Sequence, residues 1–141
     1  MLPLESQVCS LASAKRLKEL NCRQESLFFW AHRYDENKFK IMSKQSPDLI
    51  KCLTDYGYSA FTVAELGEML PSEVSIENGR CSLHMERSGG SQEFNMISYR
   101  TISHLPNHQR ACFVSLSEAE ARSRMLIYLI EQGLINAKKI K

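Results

Sequence analysis

Ser115–Ile135 reads SLSEAEARSRMLIYLIEQGLI, and it decides the fold class because a helix start, an apolar stripe and a stop signal stand in it together. Ser117 with Glu120 fits a capping box, in which a hydroxyl and a carboxylate each satisfy an amide that the first helical turn leaves unpaired; Ser115 with Glu118 fits it as well. Ala121, Met125, Tyr128, Leu129 and Gln132 fall on one face, Leu126 and Ile130 widen it, and Gly133 can take the left-handed conformation that ends a helix. Such a face must be buried against other elements of the chain.

Towards the N-terminus, Leu11, Ala14, Leu17 and Leu20 recur at helical spacing with Lys15, Arg16, Lys18 and Glu19 on the other side, and Asn21 is a natural stop. Leu27–Trp30 is an aromatic run that favours a strand covered on both faces; 35–38 reads as a turn and Phe39–Ile41 as the returning strand of a first hairpin. Ser46-Pro47-Asp48 offers a helix entry, with Leu49, Ile50 and Leu53 as one short turn. Thr62 and Glu65 form a second capping box, followed by Val63, Leu66, Met69 and Leu70 at helical spacing up to Pro71. Ser72–Arg80 reads as loop.

Cys81, Leu83 and Met85 alternate with Ser82, His84 and Glu86, then Ser88-Gly89-Gly90-Ser91 permits a tight reversal and Phe94–Thr101 returns as a second hairpin. In that return strand Phe94 and Met96 have one parity and Ile97 and Tyr99 the other, which calls for cover on both faces or a bulge near Asn95–Ile97. Ile102–Val114, with Pro106 and Asn107, reads as an irregular link, and Ala137–Lys141 as a basic tail that frays. The order α-ββ-α-ββ-α predicts an α+β domain: an antiparallel sheet of about four strands in two hairpins, packed by about three helices, with residues 1–141 forming one domain.

The totals bound the setting. A chain of 141 residues, 43% hydrophobic, can bury a core without cross-links. Eighteen basic and 16 acidic residues leave a net charge of +2, which pushes towards neither nucleic acid nor anionic membrane. The five cysteines, Cys9, Cys22, Cys52, Cys81 and Cys112, are odd in number and form no C-x-x-C pair, which fits reduced thiols in a cytoplasmic protein. MLPLESQV lacks a signal-peptide pattern, and the apolar run Met125–Ile130 is too short to span a bilayer.

Three stretches, LKELNCRQESLFFW, SAFTVAELGEMLP and EAEARSRMLIYLIEQGLI, resemble the corresponding parts of small uncharacterised proteins of bacterial phages and prophages. The resemblance implies a phage-associated setting in a bacterial host and an α+β fold. It brings no activity, cofactor or catalytic residue with it.

Cys81 and His84, with His104, His108 and Cys112, are the residue types zinc prefers, yet two strand residues three apart point to opposite faces. A cysteine nucleophile would need one of the four histidines as its base, and no local signature marks such a pair. The dinucleotide, P-loop, zinc-protease and nucleophile-elbow motifs are absent from the chain. Basic residues gather at Lys15, Arg16, Lys18 and Arg23 and at Lys138, Lys139 and Lys141, but Glu19 and Glu25 interrupt the first group. The sequence therefore favours a non-catalytic accessory protein without cofactor or metal that binds another protein or itself. A nucleic-acid-binding accessory protein and a small Cys/His enzyme are the alternatives. Both faces of the first hairpin and the mixed parity of the second need cover, which points to Phe29, Trp30, Ile97 and Tyr99 as residues of a homodimer interface.

Overall fold

The helices start on serine or threonine oxygens, and in two of them the carboxylate three residues further on, Glu65 or Glu120, ties distant segments together. α3 spans Glu118–Glu131, and the Ser117 hydroxyl accepts from the Glu120 amide at 3.3 Å. The expected box is only half made, because the Glu120 carboxylate does not return to the Ser117 amide, which donates instead to the Ser115 hydroxyl. Glu120 reaches across to α1, Leu11–Glu19, where it accepts from the Ser10 amide and from the Ser13 hydroxyl, each at 2.9 Å. Burial alone would raise the pKa of Glu120. The Ser10 and Ser13 hydrogen bonds, with Arg124 at 3.2 Å, outweigh it and hold the carboxyl below its ordinary value.

The Thr62 box closes fully at the start of α2, Val63–Met69: the Glu65 amide donates to the Thr62 hydroxyl and the Thr62 amide to the Glu65 carboxylate. The second Glu65 oxygen accepts from the Leu27 amide at 2.9 Å, so this cap also reaches a distant segment. Asn21 and Gly133 adopt φ of 66° and 70° just beyond α1 and α3, the left-handed stops read in the sequence. At Gly67 the Arg122 guanidinium of α3 lies over α2, 2.7 Å from where a Cβ would stand.

The computed structural model describes residues 3–32, 38–43, 57–76, 79–87, 95–101 and 109–140. Within them the class is α+β, with three α-helices and antiparallel strands throughout. The expected four strands are seven, in two sheets rather than one. β1 Phe28–Ala31 lies between β2 Lys40–Ser43 and β3 Tyr58–Ser59. A second sheet has the order β4-β5-β6-β7, made of Glu73–Ile76, Gly79–Arg87, Asn95–Thr101 and Gln109–Ser115.

Both expected hairpin pairings are present, β1 with β2 (Trp30 opposite Ile41) and β5 with β6 (Leu83 opposite Tyr99). Two stretches read as loop are partly strand. Ser72–Arg80 contains β4, where Val74 is buried between exposed Glu73 and Ser75; the alternation Glu73-Val74-Ser75-Ile76 is only four residues long and sits in a polar stretch. The second half of Ile102–Val114 is β7, whose pattern Pro106 and Asn107 obscured. The tail corrects too. Ala137–Lys139 forms a 3-10 turn capped by Asn136, with Ala137 buried and Ile140 packed on the core. The bulge expected as one alternative near Asn95–Ile97 lies instead between Tyr99 and Arg100, where the register with β7 slips by one. The helix entry at 46–53 and the turns at 35–37 and 88–91 fall outside the described residues.

The main core joins Leu17, Phe61, Leu66, Ile97, Met125 and Leu129, drawn from all three helices, the segment before α2 and the second sheet. β1 divides its side chains. Trp30 packs on this main core, while Phe29 and Ala31 form a small cluster with Met42 on the other face. Leu27, expected in the strand, precedes it and is exposed.

Stability should respond in two ways. Thr62→Ala and Ser117→Ala should each lose about 1 kcal/mol in denaturant melts, since each strands an amide of a first turn; unchanged midpoints would remove these caps from the account. Glu120→Gln should lose about 2 kcal/mol at neutral pH, because an amide cannot accept at both positions from Ser10 and Ser13. Glu120 has a depressed folded pKa, so its contribution is complete above the unfolded value of about 4.3 and is lost as pH falls through the folded value. The gap between wild type and variant should therefore close with acidification through that window; parallel stability curves down to about pH 3 would show that the carboxylate charge is not used here.

Candidate interaction surface

The sheet separates the residues on which a metal or thiol site would depend. Cys81 is wholly buried in the main core, whereas His84 is exposed on the opposite face with its Nε2 3.0 Å from the Ser82 hydroxyl. Cys112 is exposed, and the register His84–Ser98–Cys112 puts it on the same face as His84 with β6 between them. Two strand spacings of about 4.8 Å set those backbones about 10 Å apart, too far for a nucleophile and its base. Burial pushes the Cys9 thiol up to about 12 and the Cys22 thiol to about 11, which keeps both protonated and inert. His104 and His108 lie outside the described residues, and among those described no group of three metal-ligating side chains converges. Two open grooves, of about 590 and 490 Å³, flank the C-terminal turn and are lined by none of Cys81, His84 and Cys112.

The basic residues of α1 are engaged within the chain. Arg16 pairs with Glu131 at 2.9 Å and Glu19 at 3.1 Å, and Arg23 pairs with Glu25. Lys18 donates to the Gly57 carbonyl and lies 5.1 Å from the Tyr58 ring centroid; Lys15 sits over Phe39 and Tyr58. Lys15 and Lys18 thus dock α1 against the three-stranded sheet at Tyr58, and with Arg16 and Arg23 ion-paired the group is not an unpaired row for phosphates.

The four residues expected at an interface are placed mostly inward. Phe29 is 7% exposed and Ile97 fully buried within one chain. Trp30 is half-buried, with its indole N–H donating to the Cys9 carbonyl at 2.9 Å. Tyr99 pairs in register with Leu83 and Ala111.

Exposed apolar side chains collect elsewhere, at the β7 edge. Within β7, Phe113 turns to the helices and meets the Tyr128 ring with centroids 5.9 Å apart, so the alternate residues Cys112 and Val114 face outward. Val114 is 49% exposed and stands opposite half-buried Met96. Leu116 is 83% exposed at the corner between β7 and α3. It precedes the N-cap, the position from which an apolar residue ordinarily packs on the first turn, and it does not pack there. The corner is nonetheless held: the buried Asn95 amide donates to the Leu116 carbonyl at 3.2 Å, and the Ser117 hydroxyl to the Ser6 carbonyl at 3.0 Å.

The sheet edges differ in how they discourage pairing. β2 carries Lys40, β3 is two residues long, and β4 is four residues long with Glu73. β7 is seven residues long; its one charge, Arg110, lies near its start, and Ala111–Ser115 contains neither charge nor proline. It is the edge where an added strand would meet least opposition. Sequence reading missed it because β7 itself was not recognised; the alternation of Ala111 and Phe113 with Cys112 and Val114 was the available signal. Among the described residues no helix is long and apolar enough to cross a membrane. No family model, curated protein or solved structure matches the chain.

Proposed function

We infer that this is a non-catalytic accessory protein that works by binding another protein, with the β7 edge and the Val114–Leu116 corner as its contact surface. The observation that carries this reading is Leu116, a large apolar side chain 83% exposed on a backbone pinned by Asn95. A floppy leucine would mean little; one held out on a fixed corner beside the uncharged end of an edge strand, Ala111–Ser115, is arranged for contact. The location that goes with this reading is the bacterial cytoplasm, and its phage or prophage setting rests on the three resembling stretches.

The test uses the wild-type chain and the double variant Val114→Lys with Leu116→Lys as baits in host extract. These are surface changes and should alter stability by no more than about 0.5 kcal/mol each. The wild type should retain a defined protein, its own chain or another, that the variant loses, and β7 amides should gain hydrogen-exchange protection in that complex. Equal retention by both baits, or none by either, would remove β7 as the contact surface.

A further inference from the structure

We propose that residues 136–140 are a latch that swings off the body while the rest of the fold stays intact, and that its release joins two grooves into one apolar trough. The segment that occupies the trough at rest is thus part of this chain. All three helices end around it. The groove of about 590 Å³ is lined by Leu20 and Asn21 just after α1, by Ile130 and Gly133 at the end of α3, and by 134–139. The groove of about 490 Å³ is lined by Glu68, Met69 and Pro71 at the end of α2. Ile135, Asn136 and Lys139 line both, so the segment is the wall between them.

The wall is held on by apolar contact alone. Among the described residues, every hydrogen bond of 136–140 is made within the segment: the Lys138 amide donates to the Asn136 side chain and the Lys139 amide to the Asn136 carbonyl, each at 3.0 Å, and the Ile140 amide to the Ala137 carbonyl at 3.4 Å. No hydrogen bond or ion pair ties it to a helix among those residues. What docks it is buried Ala137 and half-buried Ile140, which lies beside Phe61 and Met69. One buried methyl group and one half-buried isoleucine oppose the ordering of five residues, so the segment opens at far less cost than the whole fold. The residues before it are tied differently. The Leu134 amide donates to the Leu129 carbonyl at 2.9 Å as part of the α3 ending, which puts the hinge at Ile135 and Asn136.

Charge is the lever on this equilibrium. Lys138 and Lys139 line the groove at the C-terminal ends of α1 and α3, where helix carbonyls leave partial negative charge. The two cations therefore favour the closed state without making a directed bond, and salt weakens that preference. Release bares the side of the main core around Phe61 and Met69, between the ends of three helices.

Thiol labelling reads the opening. In the full chain carrying Cys52→Ser, Cys112→Ser and Ala137→Cys, the introduced thiol lies under the latch, while buried Cys9, Cys22 and Cys81 report unfolding of the body. With dithiobis-nitrobenzoate each accessible thiolate forms a mixed disulfide and releases one thionitrobenzoate, which is counted. The thiol at position 137 should react at least about 100-fold faster than the other three, and faster again in about 0.5 M salt. Adding Ile140→Asp should speed that thiol further with the thermal melt retained. Hydrogen exchange of the unaltered chain should place the same boundary: the Lys139 and Ile140 amides exchange fast and without dependence on dilute urea, while the Leu134 amide exchanges with α3. A thiol at 137 that reacts only together with Cys9, Cys22 and Cys81 would overturn the latch. So would an Ile140→Asp chain that labels no faster, or a Lys139 amide as protected as those of α3.

Discussion

The Glu120 carboxylate is the contact on which the arrangement of the other elements depends. It belongs to α3 but serves the N-terminus of α1, taking the Ser10 amide and the Ser13 hydroxyl at 2.9 Å each. A carboxylate accepting several hydrogen bonds at the positive end of a helix is held both by those bonds and by the field of the unpaired amides. Once α1 is fixed in this way, its other side chains reach their partners. Arg16 closes the far end of the same helix pair on Glu131, and Lys15 and Lys18 carry α1 onto the Tyr58 ring.

The residue before that cap completes the junction. The Cys9 amide donates to the Phe61 carbonyl, while the Cys9 carbonyl accepts the indole proton of Trp30. Val8 bridges Thr62, whose hydroxyl starts α2. Within three residues, 8–10, the chain therefore touches the first sheet, the start of α2 and the start of α3. The polar groups of this buried junction are satisfied by one another, and the alternative is desolvated amides without partners. This explains why a helix cap whose own box is incomplete is tolerated: the carboxylate lost to Ser117 is used where the whole fold converges.

The second sheet is organised differently. Its inner face is sealed by α3 through Ile97, Phe113 and Met125, whereas its outer face carries exposed His84, Glu86 and Cys112. Chemistry-bearing residues that look adjacent along the chain are parted by this layering, and Cys81 and His84 are the plain case. The resource left at the surface is an edge strand, and strand edges act through shape and backbone rather than through reactive groups.

What the sequence by itself determined is what neighbouring segments set: the Thr62 box, the Ser117 cap and the stops at Asn21 and Gly133, each within a few residues, and the two hairpin pairings of strands consecutive in the chain. Those signals are local, so they read correctly with no knowledge of the rest, and they were enough for the α+β class. Tertiary structure alone decided where the Glu120 carboxylate goes, because its partner Ser10 lies 110 residues away and competes with the nearby Ser117 amide. It also decided that the strands divide into two sheets, that β4 and β7 exist, and that β7 is left at an edge. β4 is only four residues long, and β7 follows a proline-containing segment, so neither shows its period strongly enough to be seen alone. Strand order is a contest among distant surfaces for the same hydrogen bonds and the same apolar cover, and only the assembled chain records which surface won.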